Sequence, residues 1–185
     1  MRRVDLRINV IGTSGAGKTT LAARLGERLG VPHVELDALH WGPDWTSRPD
    51  ADFHGDLRAF VAADSWVLCG NYTNTRPVFT HRVNCFVWLD YPRWLVTWRV
   101  LRRSIGRAWT KRELWAGNRE SFRLTFLSRD SIIWWSFKTF GKNRRKYQAM
   151  FEELAGRADV QAVRLRSPRD AERWLDEMVR SETAA

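Results

Sequence analysis

The segment GTSGAGKT at residues 12–19 constrains this chain more than any other. It fits G-x-x-x-x-G-K-[ST] at every fixed position, and its flanks agree: an apolar, β-branched run over residues 6–11 precedes it and a helical pattern follows. From Gly12 through Thr13, Ser14, Gly15 and Ala16 to Gly17, the backbone N–H groups of such a loop converge on phosphate oxygens at a helix N-terminus. Lys18 supplies a point charge for the β- and γ-phosphates, Thr19 offers a hydroxyl to Mg2+, and Thr20 extends the contact into the helix. A nucleoside triphosphate is therefore the expected ligand, and ATP with Mg2+ the expected cofactors.

The rest of the chain alternates in the same way. Leu21, Leu25 and Leu29 recur at helical spacing, and Gly30 and Pro32 stop that helix. Short strands are predicted at 34–36, 66–69, 84–89 and 160–165, and helices at 50–63, from Pro92 onward, at 132–154 and at 168–179. Strands separated by helices imply a parallel sheet covered on both faces, hence an α/β fold. Residues 108–130 are polar, basic and weakly periodic, and read as a mobile lid-like insertion in one domain spanning 1–185. The helix after Pro92 shows two stripes: Trp94, Trp98, Leu101 and Ile105 on one, with the two tryptophans expected in the core, and Arg99, Arg102, Arg103 and Arg107 on the other. Trp134 is expected in the core as well.

Composition narrows the class. With 185 residues and 44% hydrophobic content the chain can bury a core without disulfides, and Cys69 and Cys85 sit in apolar runs. The opening MRRVDLRINV lacks the apolar stretch of a signal peptide, and no run approaches the roughly 18 apolar residues of a membrane span. A cytoplasmic protein without a membrane partner is expected. Net charge is +10, and residues 93–147 hold fifteen Arg and Lys against Glu113, Glu120 and Asp130. Such a segment suits polyphosphate, nucleic acid or an anionic membrane surface, and charge alone does not choose.

Ligands of open α/β sheets lie beyond the carboxyl ends of the strands, which directs attention to Glu35 and Asp37. Asp37 can hold a magnesium-bound water or accept a proton from an acceptor hydroxyl, with Glu35 assisting; a cap for the next turn is the alternative. Asp90, closing FVWLD, resembles a Walker B acid and equally suits a helix cap before Pro92. Arg99 and Arg103, with Arg112, Arg119 and Arg123 of the insertion, can bring positive charge to a phosphoryl group in transfer. Trp41 and Trp45 lie in a loop beside Asp37 and can wall an acceptor. His33, His40, His54 and His81 lack metal-ligand spacing, so no zinc site is expected.

Taken together, GTSGAGKTTLAARLG, ELDALHW, WVLCGNY, LDYPRWLVTWRVLRR and VRLRSPRDAERWL resemble the adenylate kinase-like P-loop kinases. Within that group they are most similar to bacterial proteins labelled DNA topology modulation protein. The resemblance implies a three-layer P-loop NTPase fold with five parallel strands in the order 2-3-1-4-5, an acceptor segment at 38–64 and an arginine-rich lid. It also implies that Arg93, Arg99 and Arg103 flank the phosphates, that Ser167 and Pro168 hold the adenine, and that Asn71 and Arg76 meet the acceptor. Members of the group often end the third strand in an aspartate, where this chain has Cys69, whose thiol suits hard Mg2+ poorly. The implied activity is phosphorylation of a small molecule. A nucleotide-dependent nucleic-acid binder and an ATP-binding regulator without acceptor are the alternatives.

Overall fold

The computed structural model describes residues 5–110, 113–118 and 132–184, the side chains of 108, 132–137 and 184 excepted. Five strands form one parallel sheet in the order β2-β3-β1-β4-β5. They are β1 (Arg7–Gly12), β2 (His33–Glu35), β3 (Trp66–Cys69), β4 (Cys85–Leu89) and β5 (Gln161–Leu165). Seven described helices accompany them: α1 (Lys18–Leu29), α2 (Leu36–His40), α3 (Asp50–Val61), α4 (Arg76–Phe79), α5 (Arg93–Thr110), α6 (Ile132–Leu154) and α7 (Pro168–Ala184). The expected α/β architecture and strand order are therefore observed.

Strand periodicity divides the core. Ile8 and Val10 of β1 join Leu21 and Leu25 of α1, Val87 of β4, Val96 of α5 and Leu175 of α7 on one face. Trp66, Leu68 and Phe86 meet Phe53 and Leu57 of α3, Phe79 of α4 and Leu154 of α6 on the other. Each aliphatic side chain buried this fully contributes roughly 1.5–3 kcal/mol. The central strands β3 and β4 are buried at every residue, as a sheet covered on both faces requires. Cys69 and Cys85 are free, buried thiols, as their apolar settings predicted.

Three expectations change. The strand expected at 34–36 is shifted by one residue: β2 runs from His33 to Glu35, and Leu36 opens α2, placing Asp37 in a helix's first turn. Secondly, Trp94 and Trp98 are not core residues but 70% and 57% exposed; the inner face of α5 consists of Val96, Val100 and Ser104. Small side chains belong there because α5 presses on a glycine of the P-loop. Thirdly, α5 runs to Thr110, and a 3-10 turn at Trp115–Gly117 follows, so helical structure reaches into the stretch that showed only weak periodicity. The remainder of the expected lid, with Arg112, Arg119 and Arg123, lies outside the described residues, as does the Trp134 side chain.

Candidate active site

The P-loop leaves β1 at Gly12 and enters α1 at Lys18, as its motif requires. Gly15 stands at a position the motif leaves free, and the fold itself requires glycine there: its φ is +81°, and a Cβ would lie 2.5 Å from Val100 Cγ2 and 2.8 Å from the Val96 carbonyl. Helix α5 thus rests directly on the loop. From that contact Arg99 extends Nη1 to the Ala16 carbonyl at 3.4 Å, and Arg103 extends Nη2 to Ser14 Oγ at 3.3 Å. Lys18 donates Nζ to the Thr13 carbonyl at 3.1 Å. Three cations therefore converge on oxygens of the loop itself, the positions phosphate oxygens would compete for.

Across Lys18 stand the two carboxylates. Burial pushes the Lys18 ammonium below its ordinary value and Arg103 adds to this, while Asp37 and Glu35 oppose it. Glu35 shifts upward, first through burial and then through Asp37, and its Oε2 accepts the Thr19 hydroxyl at 3.1 Å. The thiol of Cys69, desolvated and beside Glu35, is pushed up to about 12 and stays neutral. Among the described residues no group of three His, Cys, Asp or Glu is placed to hold a metal ion. Thr19 and Glu35 nevertheless provide the sparse, hard oxygen donors that suit Mg2+, which usually keeps waters and phosphates as its remaining ligands.

The acceptor side is built on the turn after β3. Asn71 donates Nδ2 to the Gly12 carbonyl at 2.6 Å, and its Oδ1 is buried without a hydrogen-bond partner among the described residues. Next to it the Tyr72 phenol donates to Asp37 Oδ1 at 2.7 Å. Burial and the Asp37 carboxylate push the Tyr72 pKa upward, so it remains a donor. The His40 ring packs between Trp41 at 4.7 Å and Tyr72 at 4.6 Å, and Trp41 meets Trp45 edge-on at 5.7 Å. Arg76 reaches the Met150 thioether at 3.1 Å, and Lys146 donates to Thr73 Oγ1 at 2.7 Å. Burial, Arg76 and Lys142 together hold Lys146 below its ordinary value, so this corner is strongly cationic.

One contact had no counterpart in the sequence pattern. Asn118, only 5% exposed, donates Nδ2 to the Gly42 carbonyl at 2.8 Å and to the Trp115 carbonyl at 2.9 Å. Its Oδ1 accepts the Trp45 N–H at 2.9 Å. These bonds join two unusual turns, since Asp44, Trp45 and Ala116 all adopt positive φ. The Trp45 and Trp115 rings meet edge-on at 6.5 Å, extending the aromatic wall beyond Trp41. A single asparagine in a polar stretch carries no signal of a contact 73 or 76 residues away.

The structure does not gather every candidate. Arg93 lies over the Phe140 ring at 5.9 Å, whereas Arg107, further along α5, acts electrostatically on Glu35. The Asp90 carboxylate is engaged by Arg144 at 2.9 Å and Arg164 at 2.6 Å, which binds β4 to α6 and β5. That ion-pair node replaces both the Walker B and the helix-cap readings. Ser167 Oγ accepts the Asp170 N–H at 3.1 Å and so caps α7, at whose start Pro168 stands.

No family model matches the sequence, and no curated protein matches it either. Among solved structures, a shikimate kinase from Bacteroides thetaiotaomicron shares the fold, with a TM-score of 0.52 and 16% identity over 95% of this chain and 97% of that one. A gluconokinase from Sinorhizobium meliloti 1021 scores 0.49 at 19% identity, covering 97% of each chain. A sugar kinase from a Janibacter species scores 0.48 at 20% identity, over 97% of this chain and 98% of that one.

Proposed function

We propose that this chain is an ATP- and Mg2+-dependent phosphotransferase that moves the γ-phosphoryl group to a hydroxyl of a small molecule. The observation that carries the reading is the opposition across the P-loop: Lys18, Arg99 and Arg103 converge on one side, and the Tyr72-bound Asp37 stands on the other. A carboxylate facing three phosphate-directed cations can serve a bound Mg2+, and its tie to the turn after β3 also turns it toward the acceptor side. It is what in-line transfer needs, a base for the acceptor proton beside fixed positive charge for the moving phosphoryl group.

In this reading the loop from Gly12 to Thr20 cradles the triphosphate, and the α7 entrance at Ser167 and Pro168 borders the adenine. Thr19 and Glu35, with Asp37 next to them, would hold Mg2+, which supplies charge neutralisation between the β- and γ-phosphates. Asp37, with Oδ1 held by Tyr72, keeps Oδ2 for the acceptor proton. Trp41 and Trp45 wall the acceptor, Asn71 offers its unpaired Oδ1, and Arg76 beside Lys146 favours an acceptor with an anionic group. Nucleic-acid binding and regulation without an acceptor are the competing outcomes. Among the described residues no helix is long and apolar enough to cross a membrane.

The test is an acceptor panel with ATP and Mg2+, read by mass spectrometry for one added phosphoryl group. Shikimate, gluconate and nucleoside monophosphates are suitable first members. Lys18→Ala is expected to abolish transfer while the fold persists. Full transfer by that variant would overturn the site, and slow ATP loss with no phosphorylated acceptor would favour the regulator.

A further inference from the structure

Helix α5 has two faces with different surroundings. Through Val96, Val100, Arg99 and Arg103 it packs on the P-loop. On the opposite side Trp94, Trp98, Leu101, Ile105 and Trp109 follow one another every three or four residues, forming a stripe roughly 22 Å long at helical rise. The three indoles are 70%, 57% and 83% exposed, and Ile105 is 43% exposed. Between Trp94, Trp98 and Leu101 runs a shallow groove bordered by Arg93 and Thr97. Large exposed apolar patches on a protein surface mark interaction sites.

The surroundings of the stripe are basic. Helix α5 contains five arginines and no acid, and residues 132–147 contain five Lys and Arg and no acid. Arg93 and Arg102 are exposed on α5 itself, and Arg93 lies over the Phe140 ring of α6. We propose that this face docks on the surface of an anionic lipid bilayer, with the indoles at headgroup depth and the surrounding cations on lipid phosphates. Tryptophan is the side chain favoured at that depth, and an amphipathic helix with aromatics on one face and Arg or Lys beside it is the usual interfacial element. The face is a single convex helix without the deep groove in which a peptide would lie. A bilayer supplies both the apolar depth and the negative charge. Because Arg99 and Arg103 point the other way, docking leaves the nucleotide side open, and the proposal is independent of the phosphotransferase reading.

The full chain is sedimented with vesicles of phosphatidylcholine alone or with about a third phosphatidylserine. Binding is expected to the anionic vesicles, weakening steeply with salt and accompanied by a blue shift of indole emission. The Trp94→Ala, Trp98→Ala, Trp109→Ala triple variant is expected to bind about ten-fold or more weakly. Its melting curve should match wild type; if it does not fold, Trp98→Ala alone is compared. The proposal is overturned if anionic vesicles are not bound, if the folded variants bind them as wild type does, or if phosphatidylcholine is bound equally. It is also overturned if the substitutions instead dissolve a dimer seen by light scattering, or abolish single-stranded oligonucleotide binding while no vesicle is bound.

Discussion

Tyr72 donates its phenolic hydrogen to Asp37 Oδ1 at 2.7 Å, fixing a carboxylate in the first turn of α2 from the turn that follows β3. Because Asn71, one residue earlier, grips the Gly12 carbonyl, this turn ties the carboxylate to the P-loop as one unit. Position, rather than charge alone, is what the pair supplies.

Removing the two members of that pair should therefore act differently. Asp37→Asn deletes the proton acceptor and is expected to lower kcat by about 10²–10⁴-fold with nucleotide binding retained. Tyr72→Phe leaves the carboxylate but frees its orientation, and a fall in kcat of roughly ten-fold is expected. Steady-state kinetics, with nucleotide-induced thermal shifts as the control, measure both. Equal, small effects would remove Asp37 from the chemistry.

Glu35 gives a stability prediction with a definite sign. Burial raises its pKa above the ordinary 4.5, so the folded chain holds that proton more tightly than the unfolded chain. The resulting contribution favours folding at low pH and is lost as pH rises through the folded value. Glu35→Gln keeps an oxygen for the Thr19 hydroxyl and removes the buried charge. Without Mg2+ and nucleotide this variant should melt higher than wild type at neutral pH, the difference closing as pH falls toward 4.5. Adding Mg2+ and ATP should stabilise wild type more than the variant. A lower melting temperature for ligand-free Glu35→Gln at neutral pH contradicts the assignment.

The parallel sheet and the P-loop were legible because they rest on local pattern, whereas the strand order came only with the family resemblance. The strand–glycine loop–helix unit around Lys18 can be read from about twenty consecutive residues, and Glu35 and Asp37 follow from their place at a strand end. Helix α5 was misread for a physical reason. Its strongest apolar stripe, Trp94 to Trp109, is not the buried one, since Gly15 leaves room only for Val96 and Val100. Hydrophobic periodicity locates a face but does not say what covers it. Helix α4, four residues long and containing Pro77, has no periodicity to read.

Asp90 separates a structural from a metal-binding role. Its side chain is 3% exposed, while its partners Arg144 and Arg164 are 54% and 25% exposed. Arg164 would also keep its place over the Trp88 ring at 4.4 Å. Partial exposure lets the arginines regain water, so Asp90→Asn should cost about 2 kcal/mol, between the values for exposed and buried pairs. In a chain of this size that corresponds to roughly 4–8 °C in Tm. The Mg2+ dependence of phosphoryl transfer should not change. A large rise in the Mg2+ requirement would return Asp90 to the metal.

Asn118 is the residue through which the two left-handed turns can be tested. Asn118→Ala removes one acceptor and two donor contacts, leaving the Trp45 N–H and the Gly42 carbonyl without that partner, while the Trp115 carbonyl keeps the backbone N–H of residue 118 at 3.1 Å. A loss of about 1–3 kcal/mol is expected for groups left unsatisfied in this way. Because the bonds hold the Trp41, Trp45 and Trp115 wall rather than the P-loop, KM for the acceptor should rise while KM for ATP changes little. Asn118→Asp sharpens the test. It keeps an oxygen for the Trp45 N–H but turns a carboxylate toward two carbonyl oxygens at a position only 5% exposed. Its destabilisation at neutral pH should exceed that of alanine and shrink as the carboxyl is protonated in acid. An aspartate variant as stable as wild type at neutral pH, with an unchanged acceptor KM, would show that the contact does not hold the wall in solution.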